Sequence, residues 1–370
     1  MVSHIFLAHF CIKCSLPVLG LAEKRPSVLV GLGFYLFCSC LYSFVIPGDR
    51  ILVQKHGAVE GHWYEGHVHF VQQASVELRF NKSFHGWSAQ QRYNVRFKLN
   101  RIPMRRQHQA LDTAFAFDKV LFPQRAHILP FVSRLGVIPI NPTNPLIATN
   151  PPQLQAVASI VLQQPGSAPF IVFGPPGTGK TITIVEAMKQ LLKHKPDARI
   201  LAMAPSNSAV DLIASRLAST LGPDELFRLY APSRHLDQVP DELQRYTCRM
   251  TLEGELRDCF SVPPIAILKR YKVVVCTCIS ASIPYGIGIP RGHFTHIIVD
   301  EAGQASEPEV MIGIRTMADN GTNIILAGDP KQLGPIIRSN ISRALGLEQS
   351  YLERLMSMDA YEAQSGHGLR

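Results

Sequence analysis

The sequence has no regular framework of cysteine pairs. Its eight cysteines are Cys11, Cys14, Cys38, Cys40, Cys248, Cys259, Cys276 and Cys278. Such irregular spacing in a chain of 370 residues argues against a disulfide scaffold. Cys11-x-x-Cys14 has the spacing of half a zinc site, but no second pair at ligand spacing follows. The sequence therefore predicts reduced thiols and no structural zinc.

Internal repeats and long low-complexity tracts are also missing, and only 18% of the residues are charged. Apolar residues make up 46% of the chain, which is enough for a packed core. A disordered or collagen-like protein is thereby excluded. At roughly 150 residues per domain, the length predicts two or three domains.

Positive charge outweighs negative, with 37 Lys and Arg against 28 Asp and Glu, a net charge of +9. This excess favours a polyanionic partner such as nucleic acid or an anionic membrane. One apolar run, Val28 to Ile46, contains no charge and follows Lys24 and Arg25. By length alone, the run is a candidate membrane span.

Residues 48–106 predict a small β-barrel. Four segments with alternating apolar and polar residues lie between Gly, Asn or Ser residues, and they begin at Arg50, Trp63, Ser75 and Tyr93. The second segment contains His67 and His69 and directly follows His62, and we interpret these three histidines as outward-facing polar residues rather than metal ligands.

Six basic residues and no acidic residue lie between Arg92 and Arg106. A solvated surface and a nucleic-acid contact are both compatible with this run. Arg96 and Lys98 are the candidate RNA contacts within it.

After a predicted connecting stalk at 107–149, short apolar runs alternate with helical patterns. The apolar runs are 170–173, 200–204, 273–277, 297–300 and 324–329. Strands that are apolar on consecutive positions predict a parallel sheet covered by helices on both faces, which makes this lobe, at 150–337, an α/β fold. An insertion is predicted at about 223–269 and a helical tail at 338–370.

The strongest motif follows the first of these strands. It reads G-P-P-G-T-G-K-T and consists of Gly174, Pro175, Pro176, Gly177, Thr178, Gly179, Lys180 and Thr181. A strand, a Gly-rich loop, a Lys-Thr pair and a helix, in that order, form a phosphate-binding P-loop. Lys180 is predicted to reach the β- and γ-phosphates, and the Thr181 hydroxyl to ligate Mg²⁺.

Two later strands end in polar residues. Asp300 and Glu301 follow I-I-V, where one carboxylate can hold Mg²⁺ and the other can accept a proton from an attacking water. Gln332 lies in G-D-P-K-Q-L-G-P and is a candidate γ-phosphate contact. The N-K-x-D motif of a GTPase is absent, so hydrolysis of ATP is favoured.

The ordered motifs together resemble those of superfamily 1B RNA helicases. They are N-P-P-Q-L-Q-A-V, G-P-P-G-T-G-K-T, A-P-S-N-S-A-V-D, V-C-T-C, D-E-A-G-Q and G-D-P-K-Q-L-G-P. Within that group, R-L-Y-A-P-S-R, the D-E-A-G-Q form and the strand-rich region before the core resemble the Armitage or Moloney-leukaemia-virus-ten type, which acts in RNA silencing. The similarity covers about residues 48–370.

The resemblance implies roles for individual residues. Gln153 would read the adenine, and Gln304 and Gln332 would contact the γ-phosphate side. Lys180, Thr181 and Asp300 would hold phosphate and Mg²⁺, with Glu301 as the general base. Pro205, Ser206, Asn207 and Thr277 would line the track for single-stranded RNA.

The resemblance also implies a cytoplasmic ATP-dependent RNA helicase, with silencing or ribonucleoprotein-granule proteins as partners. Helicases of this type need a second RecA-like lobe, which supplies arginine fingers. Because the chain ends about 35 residues after the last motif, we expect nucleotide and weak RNA binding, little ATPase activity and no unwinding by this chain alone. A DNA or dual-substrate helicase and a non-catalytic RNA-binding module remain alternatives.

Under this resemblance, residues 32–48 interrupt a region that is continuous in relatives. Seventeen residues correspond to 51 nucleotides, so a translated intron is favoured over a membrane span. Sequencing the cDNA distinguishes the two hypotheses.

Overall fold

The computed structural model describes most of the chain after residue 48. The described residues are 34–35, 49–57, 61–71, 76–80, 84, 93–98, 100–113, 118–124, 127, 140–234, 236–251, 258–361 and 368–369. They fall into two compact units, Met1–Ile102 and Pro103–Arg370.

Unit 1 contains an antiparallel sheet of five strands in the order β1-β4-β3-β2-β5. The strands are β1 (Phe34–Tyr35), β2 (Arg50–Lys55), β3 (Tyr64–Val71), β4 (Val76–Phe80) and β5 (Tyr93–Lys98). Side chains alternate between the two faces of a strand, so Ile51 and Val53 of β2 enter one buried cluster with Val68 and Leu78. The four strands predicted between residues 50 and 100 are confirmed.

Most of the apolar run Val28–Ile46 lies outside the described residues. The membrane-span and translated-intron hypotheses about this run therefore stay predictions. Phe34 and Tyr35 are described, and they pair with Leu78 and Glu77 of β4. In the part of the chain that the structure describes, no helix is both long and apolar enough to cross a membrane.

Unit 2 is built on a seven-stranded parallel sheet in the order β14-β6-β13-β12-β7-β11-β8. The strands of unit 2 are β6 (Phe170–Phe173), β7 (Ile200–Ala204), β8 (Leu226–Leu229), β9 (Cys248–Thr251), β10 (Asp258–Ser261), β11 (Val273–Thr277), β12 (His296–Val299), β13 (Asn323–Gly328) and β14 (Gly368–Leu369). Strands β9 and β10 form a separate antiparallel pair. The predicted α/β fold is confirmed.

Helices cover both faces of this sheet. The helices of the described residues are α1 (Ile102–Asp112), α2 (Asp118–Leu121), α3 (Pro145–Ala148), α4 (Pro151–Leu162), α5 (Lys180–His194), α6 (Asn207–Ala218), α7 (Ile265–Leu268), α8 (Ile283–Gly286), α9 (Glu307–Met317), α10 (Asn340–Ala344) and α11 (Tyr351–Met356). Leu201 and Met203 of β7 pack on the face covered by α9 and α11, whereas Ile200 and Ala202 pack on the face covered by α4, α5 and α6. Burial on both faces explains why these strands are apolar at consecutive positions.

The predicted insertion at 223–269 is shorter in the structure. Leu226–Leu229 forms β8, which pairs in parallel with β11 at the edge of the main sheet. Arg228 interrupts the apolar pattern of this strand, and for that reason the pattern did not predict it. The predicted helical tail contains α10 and α11, and it also includes strand β14, which pairs with β6.

The predicted boundary between residues 106 and 107 falls inside α1. Arg106 of this helix donates a hydrogen bond from Nη1 to the Ile279 carbonyl at 2.7 Å. The Pro- and Asn-rich stretch before α3 is irregular, as predicted, but it is fixed to α5. There, the buried Glu186 carboxylate accepts hydrogen bonds from Thr143 N at 2.7 Å and from Thr143 Oγ1 at 2.6 Å.

Candidate functional site

The P-loop joins β6 to α5 at the carboxyl edge of the parallel sheet. Lys180, the first residue of α5, is 9% exposed. Its Nζ donates hydrogen bonds to the carbonyls of Gly174 at 2.7 Å and Pro175 at 3.2 Å. These bonds hold the ammonium group inside the loop.

The amino end of α5 has the geometry of an anion site. Gly177 and Gly179 have φ angles of 77° and 84°, which glycine adopts without the steric cost of a side chain. Gly179 caps the helix, and no side chain of the described residues accepts a hydrogen bond from the first backbone N–H groups. Unpaired N–H groups and the helix dipole together attract phosphate.

Thr181 and Asp300 fit a magnesium ion. The Thr181 hydroxyl donates to Asp300 Oδ2 at 2.8 Å. Two adjacent ligand oxygens of an octahedral Mg²⁺ lie about 2.9 Å apart, given metal–oxygen bonds of about 2.0–2.1 Å. Asp300 is 1% exposed, and its burial raises the pKa of the carboxyl group, while the Thr181 and Glu301 hydrogen bonds oppose that rise. A bound cation would therefore favour the ionised form.

Glu301 lies in a strained turn directly after β12. Its φ of 51° is the only positive value for a non-glycine residue in the described part of the chain. The left-handed conformation costs a residue with a side chain about 1–2 kcal/mol. Glu301 N donates to Asp300 Oδ1 at 3.0 Å, and Gln304 Nε2 donates to Glu301 Oε2 at 3.0 Å. These contacts fix the position of the carboxylate that was predicted to be the general base.

This turn packs tightly against the end of β13. A methyl group added at Gly303 would lie 2.7 Å from the backbone oxygen of Asp329, so only glycine fits there without a shift. Asp329 is 6% exposed, and its Oδ2 accepts a hydrogen bond from Gln332 Nε2 at 3.2 Å. The structure therefore brings Gln332 to the same edge as Asp300 and Glu301.

Gln153 approaches the P-loop from α4. Its Nε2 donates to the Thr178 carbonyl at 2.8 Å, and its backbone N–H bonds the helix-capping side chain of Asn150 at 3.3 Å. The predicted adenine-reading residue thus contacts the loop that was predicted to hold the phosphates.

The four predicted track residues lie at the ends of two neighbouring strands. Pro205 and Ser206 follow β7, and Ser206 Oγ caps α6 by accepting from Ala209 N at 3.1 Å. Thr277 ends β11, where its hydroxyl donates to Ser280 Oγ at 3.2 Å. Asn207 is the first residue of α6.

A buried side-chain network behind these residues was not predicted from the sequence. Arg228 is 1% exposed, and its Nε donates to Asp211 Oδ1 at 2.8 Å. Its Nη2 donates to Asn207 Oδ1 at 2.9 Å, and Tyr230 OH donates to Asp211 Oδ1 at 2.8 Å. The available signal was an arginine inside an apolar strand, since a fully buried charge needs partners.

The predicted RNA contacts Arg96 and Lys98 lie in unit 1, on β5. Arg96 stacks on the Trp63 ring at 4.2 Å from the ring centre. Lys98 Nζ donates to Glu65 at 2.7 Å, and this hydrogen bond lowers the pKa of Glu65. Both side chains are exposed at their strand, and Lys98 has a carboxylate partner.

No cluster of three or more His, Cys, Asp or Glu side chains suited to a metal occurs among the described residues. The four described cysteines are free thiols. Cys11 and Cys14 lie outside the described residues.

Comparisons with known proteins agree with this architecture. An "AAA domain" model matches residues 148–261 and 263–340, and a "Helicase MOV-10, beta-barrel domain" model matches residues 42–97. The second match begins inside the interval 32–48 of the intron hypothesis.

Relatives with helicase names align along nearly the whole chain. The zebrafish (Danio rerio) helicase mov-10-B.1 is 38% identical over 354 residues, covering 92% of this chain and 32% of that protein. The human (Homo sapiens) RNA helicase Mov10l1 is 35% identical, covering 94% and 32%. Armi of Drosophila melanogaster is 29% identical, covering 94% and 30%.

The chain thus spans about a third of the length of these relatives. The AAA match extends over more than half of this chain, and the MOV-10 barrel match precedes it. The chain therefore belongs to the MOV-10 helicase family, with a MOV-10 β-barrel domain followed by a P-loop AAA domain.

Proposed function

We propose that this chain binds ATP with Mg²⁺ at the carboxyl edge of the unit 2 sheet and hydrolyses it as part of an RNA helicase. The observation that carries the proposal is the convergence of Lys180, Thr181, Asp300 and Glu301 at the end of β6 and β12. Lys180 and the amino end of α5 would neutralise phosphate charge, and Thr181 and Asp300 would hold the ion. Mg²⁺ would supply electrostatic stabilisation of the charge on the transferred phosphate.

Glu301 would act on the attacking water. Its carboxylate would accept the proton that this water loses as the water oxygen bonds to the γ-phosphorus. The bond from that phosphorus to the β–γ bridging oxygen would break at the same time, with ADP as the leaving group. Gln304 orients the carboxylate by donating to Oε2 at 3.0 Å. Gln332, held by Asp329, would contact the γ-phosphate side and respond to its release.

The RNA part of the proposal is supported by the track residues beside the nucleotide site. Strand β7 is hydrogen-bonded to β12 on one side and to β11 on the other. The strand that precedes Asp300 is therefore adjacent to the strand that precedes Ser206. We propose single-stranded RNA as the ligand, a role in silencing or mRNA regulation, and a cytoplasmic location with ribonucleoprotein proteins as partners, because the family relatives include proteins named RNA helicases.

The nucleotide site is tested by titrating the whole chain with a fluorescent, non-hydrolysable ATP analogue, with and without Mg²⁺. We expect Lys180→Ala to weaken binding about tenfold or more, because it removes a charge-assisted contact to phosphate. Lys189→Ala is the matched control, since Lys189 lies on the same helix and, among the described residues, its Nζ donates only to the Ser219 hydroxyl, at 3.4 Å. Equal affinities for all three proteins would contradict the proposal.

Crosslinking to single-stranded RNA and DNA, in the presence and absence of the same analogue, tests the nucleic-acid part. Preferential RNA capture that depends on nucleotide supports the RNA helicase assignment. Equal capture of DNA favours a dual-substrate helicase. Capture of neither nucleic acid at moderate salt contradicts nucleic-acid binding.

A further inference from the structure

Arg228 is the centre of a buried hydrogen-bond network at the edge of the unit 2 sheet. Its Nε and Nη2 both contact Asp211 Oδ1, at 2.8 and 2.7 Å, and its Nη1 donates to the Leu229 carbonyl at 2.8 Å. The guanidinium carbon Cζ lies 3.8 Å from the centre of the Tyr230 ring. With so many partners, the guanidinium has one well-defined position.

The network connects the elements that carry the track residues. Arg228 belongs to β8, and its Nη1 also reaches the Val275 carbonyl on β11, at 3.5 Å, two residues before Thr277. Asp211 lies on α6, one turn after Asn207. One side chain therefore spans β8, β11 and the start of α6.

The bond from Arg228 to Asn207 determines which end of the Asn207 amide is available. Because Nη2 donates to Oδ1 at 2.9 Å, the amide oxygen faces the guanidinium and Nδ2 is the end left for another partner. Asn207 is partly exposed, and within the described residues Nδ2 has no hydrogen-bond partner. A side-chain amide nitrogen only donates, so its partner must be an acceptor.

The surroundings of Nδ2 favour an anionic acceptor. Asn207 is the first residue of the twelve-residue helix α6, where the helix dipole provides positive potential. In single-stranded RNA the anionic acceptors are the non-bridging phosphate oxygens, which every sequence presents. A contact of this kind would be independent of base sequence.

We propose that Arg228 is a positioning residue that holds Asn207 as a hydrogen-bond donor to a backbone phosphate of bound RNA. The proposal rests on the proposed function, because it assigns a mechanism to the RNA track. Arg228 itself does not contact the RNA.

The decisive variant is Asn207→Asp in the whole chain. Aspartate has the same shape and pairs with Arg228 at least as well as asparagine, so the melting temperature is expected to stay the same or rise. It replaces the donor with a second acceptor oxygen that repels phosphate. The affinity for a fluorescein-labelled oligouridylate, measured by anisotropy, is expected to fall about tenfold or more.

Two controls separate orientation from added charge and from misfolding. Ser208→Asp places the same charge on the next, exposed residue and is expected to weaken RNA binding about twofold at most, as a surface charge in water does. Binding of the fluorescent ATP analogue should be unchanged in both variants, because the P-loop lies at β6.

A second variant tests Arg228 directly. Arg228→Met combined with Asp211→Leu removes both buried charges together, which avoids leaving either one unpaired. We expect it to weaken RNA binding severalfold and to leave nucleotide affinity unchanged. The matched control Arg354→Met with Glu307→Leu removes the ion pair between α11 and α9 and should leave RNA affinity unchanged.

The outcomes are distinguishable. If the wild-type chain does not bind oligouridylate, the proposed RNA-binding function fails and this proposal fails with it. If the wild-type chain binds and Asn207→Asp binds equally well, or no worse than Ser208→Asp, the positioning role is overturned while the proposed function stands. Because Asn207→Asp retains the network partners, this result does not depend on the folding of the Arg228 variant.

Discussion

The two halves of the carboxyl edge of the unit 2 sheet are built in different ways. At β6, β13 and β12, specialised backbone positions the functional side chains: a glycine-rich loop, a helix start without a side-chain cap, and a turn in which Glu301 has a positive φ. At β7, β11 and β8, the site consists of side chains held by the buried Arg228. One sheet therefore carries a strained backbone site beside a site that is ordered by a charged hydrogen-bond network.

This difference matches the chemistry proposed for each half. Phosphate groups and Mg²⁺ are small and highly charged. Backbone N–H groups bind the phosphate at close range, and the oxygens of Thr181 and Asp300 would ligate the ion. A polymer of variable sequence requires donors that keep one orientation while bases change. Substitutions that add side-chain volume should therefore impair the nucleotide half, at β6, β13 and β12. Substitutions that keep the volume but exchange a hydrogen-bond donor for an acceptor should impair the RNA half, at β7, β11 and β8.

Gly303→Val should have the largest effect, because its side chain would collide with the backbone of Asp329. The closest approach for a methyl group alone is 2.7 Å. Overpacking of this kind costs about 1–3 kcal/mol of the free energy of unfolding. It should also displace Gln332, which Asp329 holds, and reduce ATP turnover. Urea unfolding and an ATPase assay measure the two effects.

Gly222→Ala is the control for that variant, since no atom lies within 4 Å of the added methyl group. Its stability should stay within about 0.5 kcal/mol of the wild type, as for most surface changes. Equal destabilisation by the two substitutions would show that the turn after β12 is not tightly packed.

Asp300→Asn should have an intermediate effect that is specific to magnesium. Burial raises the pKa of Asp300, so ionisation of this carboxyl group costs more in the folded protein than in the unfolded chain, and a neutral amide should not destabilise the protein. The Mg²⁺-dependent part of nucleotide affinity should be lost, which calorimetry with and without the ion measures. Ligation of Mg²⁺ requires the ionised carboxylate. In the wild type, the Mg²⁺-dependent part of nucleotide affinity should therefore decline as the pH falls through the raised pKa of Asp300.

A large loss of melting temperature in metal-free Asp300→Asn would contradict this account. It would indicate that the ionised carboxylate stabilises the fold by itself, and that its hydrogen bonds from Thr181 and Glu301 outweigh the cost of burial.

Glu301→Gly should have the smallest effect on stability, and it should stabilise the protein, whereas Gly303→Val destabilises it. Glycine adopts a φ of 51° without steric cost, so the free energy of unfolding should increase by up to about 1 kcal/mol. Glu301→Gln retains the strain and should leave stability unchanged. Both variants remove the proposed base, and neither should hydrolyse ATP at the wild-type rate. A stability loss in Glu301→Gly would mean that the carboxylate contacts outweigh the strain.

The sequence predicted the backbone half of the edge better than the side-chain half. The P-loop and the Asp300–Glu301 pair depend on residues close together in sequence, so their local pattern is informative. Arg228 joins β8 to α6 and β11, and its partners Asp211 and Val275 are 17 and 47 residues away. Pairings over such distances follow from the packing of the sheet, and a single apolar pattern interrupted by an arginine does not reveal them.

The central claim is that nucleotide and RNA bind to separate halves of one sheet edge. The most direct test measures both affinities, for the fluorescent ATP analogue with Mg²⁺ and for oligouridylate without nucleotide, in wild type, Lys180→Ala and Asn207→Asp. The account predicts that Lys180→Ala loses nucleotide affinity and keeps RNA affinity, and that Asn207→Asp shows the reverse. A parallel loss of both affinities in either variant would contradict it.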